Sequence, residues 1–357
     1  MPRLAMTSVS SLVCAAVLLF GGTVSVAHGE DLTDKEVLDR LSTRSPRDLA
    51  LAKALAFLRS KQNGDGALGK SHKTALTSLA IMAHLAAGHT LDDPEHGFWL
   101  RKSVRYVLQQ QEPSGYFGKK DGSRMYGHGI ATLMLAEAMG TCSDDQLERE
   151  ILRCLEKAVK LTIQAAAIPK DERYRGGWHY GPNDKTADLS LSGWQIMSLH
   201  ATQQVGIPVP QQTIRGAVEY ANRLTTDDGK VGYSAPKQDH PALRGLGMLC
   251  FAIGGELEDP KLESVANRIE EHPLEWRGPF FFYRVYYEAV GMSRSAPEHW
   301  KRYSNHLESI LLENQNEDGS WPRPPSDNEG NHGDVYMTSM AALALAVERR
   351  VLPAYQR

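Results

Sequence analysis

Gln315-Asn316-Glu317-Asp318-Gly319-Ser320-Trp321 has the form Gln-x-x-x-Gly-x-Trp. An apolar-periodic stretch, 299–312, runs into it, and a second, 337–347, follows after a polar loop. The seven residues therefore sit at the hinge of a helical hairpin. Gly319 can take the positive φ that ends a helix. Trp321 supplies a large apolar plate. Gln315 supplies an amide able to bridge backbone groups left open at the helix end.

The pattern recurs. Gln62 to Leu68 keeps everything but the aromatic, and Gln111 to Phe117 keeps Gln, Gly and an aromatic. Glu172 to Trp178 exchanges Gln for Glu, Thr225 to Val231 is degraded with Tyr233 two residues on, and Leu274 to Phe280 is the poorest match. The last positions fall at 68, 117, 178, 231, 280 and 321, at intervals of 49, 61, 53, 49 and 41. A period of roughly 50 residues is that of helical-hairpin arrays. Six copies, each between helical patterns, give six helical hairpins and an all-α chain.

The repeat resembles the QW and prenyltransferase repeats of squalene–hopene cyclases, oxidosqualene cyclases and protein prenyltransferase β subunits, over about residues 45–357. That resemblance implies an α/α toroid, six outer and six inner helices closed into a ring. It is specific for fold and not for chemistry. The second helix of each pair is rich in small residues, such as Ala75, Ala80 and Ala83, Gly127 and Gly129, Gly245 and Gly247, and Ala341, Ala342 and Ala344. Small side chains suit an inner ring of short circumference. Gly88, Gly140, Gly206, Gly254 and Gly291 follow five of the six expected inner helices and read as C-caps.

The chain has 357 residues, 41% hydrophobic and 23% charged, with formal net charge −3. These are ordinary values for a globular chain, and they give no electrostatic footprint for nucleic acid. Residues 1–29 read as a signal peptide: Arg3, an apolar stretch at 12–20, then Ala27-His28-Gly29 before a cut at Glu30. The alternative is an uncleaved N-terminal segment in contact with a membrane. Residues 30–47 are a polar lead-in, and 48–357 make the ring without an internal boundary. The chain after the signal is therefore expected to be secreted or periplasmic. It keeps Cys142, Cys154 and Cys250. This odd number favours three buried thiols over a Cys142–Cys154 pair.

In the toroid families inner helices run parallel, so their N-termini meet at one mouth, and six positive dipole ends favour an anion or polar headgroup there. The resemblance places Tyr126, His128, Tyr180, Asp188, Trp194, Arg244, Tyr283, Tyr287, Asp334 and Tyr336 as ligand-lining residues. Aromatic faces among them could wall an apolar cavity or face a carbocation. Asp188, His128 and Asp334 are the candidate catalytic residues, and a capping role for Asp188 competes with that of an acid.

The known chemistries of these families are missing. The Asp-x-Cys of the prenyltransferase zinc site corresponds to Asp188-Leu189-Ser190, and its Tyr-His-Thr to Tyr336-Met337-Thr338. Serine and methionine replace two of three ligands, so no metal is expected in the chain and no cofactor is called for. No Asp-x-Asp-Asp occurs, and the length matches one ring of the two-domain cyclases. No Cys is followed three residues later by Gln, as a thioester protein requires, and no His-Glu-x-x-His occurs; the thirteen histidines look scattered. The leading expectation is an exported ring that binds an apolar, isoprenoid-like ligand. The alternatives are an enzyme of unassigned chemistry, cyclase-like or glycosidase-like, using Asp188 and Asp334, and a scaffold for protein partners. An open centre favours the first two, a filled one the third.

Overall fold

The computed structural model describes residues 44–236, 238–325, 332–349 and 351–352. The expectations for the signal peptide and for most of the lead-in lie outside these residues. The described residues form twelve α-helices and three short 3-10 turns. The helices are α1 (Pro46–Ser60), α2 (Lys73–Ala86), α3 (Gly97–Gln110), α4 (Arg124–Ala138), α5 (Asp145–Ala166) and α6 (Leu189–Gln204). They continue with α7 (Gln211–Leu224), α8 (Arg244–Gly254), α9 (Pro260–Glu271), α10 (Phe281–Met292), α11 (Pro297–Glu313) and α12 (Gly333–Ala346).

Even-numbered helices pack in the order α2, α4, α6, α8, α10, α12 and back onto α2, so the inner ring is closed. Odd-numbered helices lie outside, and α11 returns to α1. Side-chain composition sorts the two layers. Helix α5 buries one stripe, Leu147, Ile151, Leu155, Ala158 and Thr162, as an amphipathic outer helix should. Helix α2 buries every residue from Thr74 to Ala86, because neighbours cover it on all sides.

The repeat motif fastens successive outer helices. The Gln315 amide donates to Gly319 O at 3.0 Å and to Ala50 O of α1 at 2.9 Å. A Cβ on Gly319, whose φ is +89°, would stand 2.3 Å from Lys53 O, also in α1. Gln111 does the same between its own turn and Cys154 O of α5, at 2.7 Å. Gly66, Gly115, Gly176 and Gly229 likewise abut backbone carbonyls of α3, α5, α7 and α9. The motif is thus a clip from each hairpin to the next outer helix. The fifth copy departs from it, as its poor match foretold: Gly278 has no positive φ, and Phe280 takes it instead, at +52°.

Several boundaries differ from the sequence reading. Ser45 and Asp48 form a capping box, so the ring begins at Pro46. Gly88, Gly140 and Gly206 do take positive φ at helix ends, but Gly255 rather than Gly254 caps α8. Gly291 lies inside α10 and serves packing: a Cβ there would meet Gly245 O of α8 at 2.4 Å. The three cysteines are free; Cys250 is buried, whereas Cys142 and Cys154 are only partly so. Among the described residues no helix is long and apolar enough to cross a membrane.

Candidate functional site: a tyrosine-walled mouth around Asp188

Among the described residues three non-glycine residues take positive φ, and all three stand at starts of inner helices: His72 before α2, Arg124 opening α4 and Phe280 before α10. Such strain persists only where surrounding structure enforces it, and it gathers at functional places. The N-termini of α4, α6 and α10 meet here. Tyr126 of α4 bonds Ser190 Oγ of α6 at 2.6 Å, and the Tyr283 hydroxyl of α10 donates to Ser190 O at 3.1 Å.

Asp188 is the acid at this mouth. It caps α6, with Oδ1 accepting from Leu191 N at 2.8 Å, so the capping role is real. Oδ1 also accepts from Ser190 Oγ at 2.6 Å. The carboxylate only accepts, so the Ser190 hydroxyl must point at it and Tyr126 must donate to Ser190. A directed chain results, Tyr126 to Ser190 to Asp188. The other oxygen, Oδ2, is buried without a hydrogen bond of good geometry; the Tyr233 hydroxyl is near the carboxyl, and His179 Nε2 stands 3.7 Å away. His179 is itself anchored through Nδ1 to Asp184 at 3.0 Å.

Burial of Asp188 is complete, and desolvation raises its pKa above the usual aspartate value against the hydrogen bonds from Ser190 and Leu191. Phenols enclose it. Tyr126 and Tyr233 are both pushed up by burial and next by the Asp188 charge. Tyr126 and Tyr180 rings lie 5.9 Å apart, and the Arg124 guanidinium covers Tyr180 at 5.8 Å. Tyr283 and Tyr287 rings lie 4.6 Å apart, and Tyr287 keeps a buried hydroxyl with no hydrogen-bond partner.

The remaining sequence candidates divide. Trp194 stacks on Tyr286 at 5.8 Å, joining α6 to α10 past the slender α8. Tyr336 lies 5.2 Å from the His332 ring at the α12 end of the mouth. Asp334 is exposed and ion-paired with Lys61 at 3.0 Å. His128 is not at the mouth. It is fully buried between layers, with Nδ1 accepting from Phe117 N at 3.3 Å and Nε2 bonded to Thr162 of outer helix α5 at 3.0 Å. Burial drops its pKa to about 4, so it is a neutral packing residue. Arg244 is also buried; it shares Asp239 with Arg268, at 2.7 Å and 3.0 Å, and serves the α8–α9 contact. Sequence reasoning missed His179 and Tyr233, which lie in irregular loops whose path no periodicity reveals.

A groove of about 460 Å³ lies between outer helices α3 and α5, lined by Arg105, Glu150, Arg153 and Cys154 among others, and a smaller one is lined by Ser293, Trp300, Val347 and Glu348.

No protein-family model and no curated protein matches the chain. Solved structures do. The type II terpene cyclase MstE from Scytonema, in complex with merosterolic acid A, superposes with TM-score 0.54 at 15% identity, covering 86% of this chain and 97% of that one. The α-1,6-mannanase of Salegentibacter sp. HEL1_6 superposes with TM-score 0.64 at 7% identity, covering 86% and 100%. A protein from Actinoplanes gives 0.53 at 15%, covering 84% and 98%. At these identities the likeness establishes the α/α toroid and nothing finer.

Proposed function

We propose that the chain is a ligand-binding ring whose binding place is the tyrosine-walled mouth, and that its ligand is a small, mainly apolar, isoprenoid-like molecule with one polar group. The observation that carries this reading is the buried Asp188 with an unpaired oxygen inside a shell of phenols. A buried polar atom without a partner is costly, and a native structure that keeps one calls for an explanation. Asp188, Gln195, Tyr287 and Thr338 all leave such atoms on inner helices or their caps. A ligand carrying a hydroxyl or carbonyl would satisfy them while its apolar part lies on aromatic faces. MstE structures hold geranylgeranyl dihydroxybenzoate in a ring of the same fold, which supports the ligand class.

The second reading is an enzyme in which Asp188 is the acid. Burial raises its pKa above the usual aspartate value, and the Tyr126–Ser190 chain of hydrogen bonds runs to its carboxyl. The fold neighbours named as a cyclase and a mannanase are compatible with catalysis on this scaffold. The scaffold reading draws on Tyr283 and Trp194, whose contacts join α6 to α10. Export through residues 1–29 belongs to the same proposal, with an uncleaved N-terminal segment in contact with a membrane as its alternative.

Mass spectrometry of lipids extracted from purified protein tests the first reading. An apolar molecule near one per chain, depleted in Asp188→Asn and in Tyr283→Ala, is expected. Wild-type protein that yields none, and binds no added isoprenoid alcohol, would overturn it.

A further inference from the structure

The opposite end of α2 gathers four histidine and aspartate side chains that the mouth does not use. Helix α2 finishes in a Schellman turn: Gly88 N donates to Leu85 O at 2.9 Å, and His89 N donates to His84 O at 3.0 Å. That turn fixes His89 beside His84. Asp93 lies in the turn before α3, its Oδ1 accepting from Glu95 N and His96 N at 2.8 Å each. His96 is thereby folded back onto His89, and the two rings stack at 3.7 Å. His89, Asp93 and His96 each place one ligating atom within 4.8 Å of the others.

A second, independent feature points at the same spot. His84 is fully buried, and its ring lies 5.3 Å from that of His96 and 6.3 Å from that of His89. Its Nδ1 must donate to Ala80 O, 2.8 Å away, because a carbonyl only accepts. This fixes the tautomer and leaves a lone pair on Nε2, which is buried without a partner. His96 Nδ1 is also buried and unpartnered. An imidazole held by a backbone carbonyl or a carboxylate on one nitrogen, with the other free, is the usual arrangement around a bound metal. His89 Nδ1 lies 2.9 Å from Asp93 Oδ2, a separation that suits two ligands of one ion. The neighbouring cation, Arg59, is occupied by Glu95 at 2.7 Å.

We propose that His89, Asp93 and His96, completed by His84, form a binding site for one divalent transition-metal ion. Imidazole and carboxylate donors suit zinc, cobalt or nickel rather than calcium or magnesium. Zinc needs ligand distances of about 2.0–2.2 Å, so binding would draw the four groups together and part the stacked rings. The ion would pin the α2–α3 turn and satisfy the orphaned imidazole nitrogens. The expectation of a metal-free chain rested on Asp188, Ser190 and Met337 and on histidines that look scattered along the sequence; here the fold brings three of them together.

The test is titration of full-length, chelator-treated protein with cobalt(II), read by its visible absorption, and with zinc(II) by equilibrium dialysis. One equivalent per chain is expected, with a rise in melting temperature. Affinity should fall at least about tenfold in His89→Ala, at a partly exposed position that circular dichroism can verify as folded, and in His96→Gln. It should be unchanged in Asp188→Asn. Absence of stoichiometric binding to wild type would overturn the proposal, and so would binding that survives both histidine substitutions.

Discussion

Trp321 shows how one side chain serves the repeat. It is 1% exposed, and its indole Nε1 donates to Leu311 O at 2.8 Å, so it fills space and also closes the end of α11. Trp178 does the same with Thr162 O at 3.0 Å. Truncating a buried Trp costs about 3–5 kcal/mol. Trp321→Ala should therefore lower the melting temperature by several degrees, and an unchanged melt would contradict the plate. Glu288 gives a pH signature. It is fully buried on α10, 2.6 Å from Arg284 Nε, and desolvation pushes it up to about 7 against the pull of Arg284. The native state holds this proton more tightly than the unfolded chain does. Its contribution is complete below the ordinary value of 4.5 and is lost as pH rises through about 7. Denaturant stability of the wild type relative to Glu288→Gln should decline across that window, and a flat difference would mean that Glu288 stays ionised. Asp188 was legible because it precedes a helix and sits in a dense aromatic stretch. His128 and Arg244 misled because a polar residue on an inner helix can turn outward as well as inward, and the sequence carries no sign of which.

Helices α8 and α10 approach closely through glycine. A Cβ on Gly245 would lie 2.2 Å from Tyr287 O, and one on Gly291 would lie 2.4 Å from Gly245 O. Both obstacles are backbone, so neither can swing aside. Gly291→Ala must push the helices apart, at a cost of about 1–3 kcal/mol or more. Because Tyr283 and Tyr287 ride on α10, the displacement should also weaken ligand retention at the mouth. A variant with wild-type denaturation midpoint would refute the close approach. Small residues on inner helices were readable as a composition. The role of Gly291 was not, because a glycine at a helix end reads as a cap until the neighbouring backbone is seen. The histidine cluster escaped for a related reason. His84, His89, Asp93 and His96 straddle a helix end, a turn and a helix start, so no single periodicity unites them.

Closure of the ring is the property that counting hairpins could not supply. Six motifs specify an array, and an array has two ends. Here the ends meet. Gln315 reaches Ala50 O, 265 residues away in sequence, and Arg47 pairs with Glu308 at 2.6 Å. The final motif clips onto α1 as the earlier copies clip onto their successors, so the seam is chemically one more repeat junction. In a nearest-neighbour array, breaking a junction loosens mainly the units that share it. Gly319→Ala places a Cβ against Lys53 O and forces an L-residue to φ +89°, a strain of about 1–2 kcal/mol before the clash is counted. Amide hydrogen exchange should then quicken together in α1 and α11, at opposite ends of the chain, while α5 to α7 across the ring keep their protection. Gly115→Ala, at the junction of α3 with α5, should instead loosen those two helices and leave α1 and α11 as they were. Faster exchange in α11 alone after Gly319→Ala would mean that the motif only ends its own helix and that the ring is held shut by the inner layer.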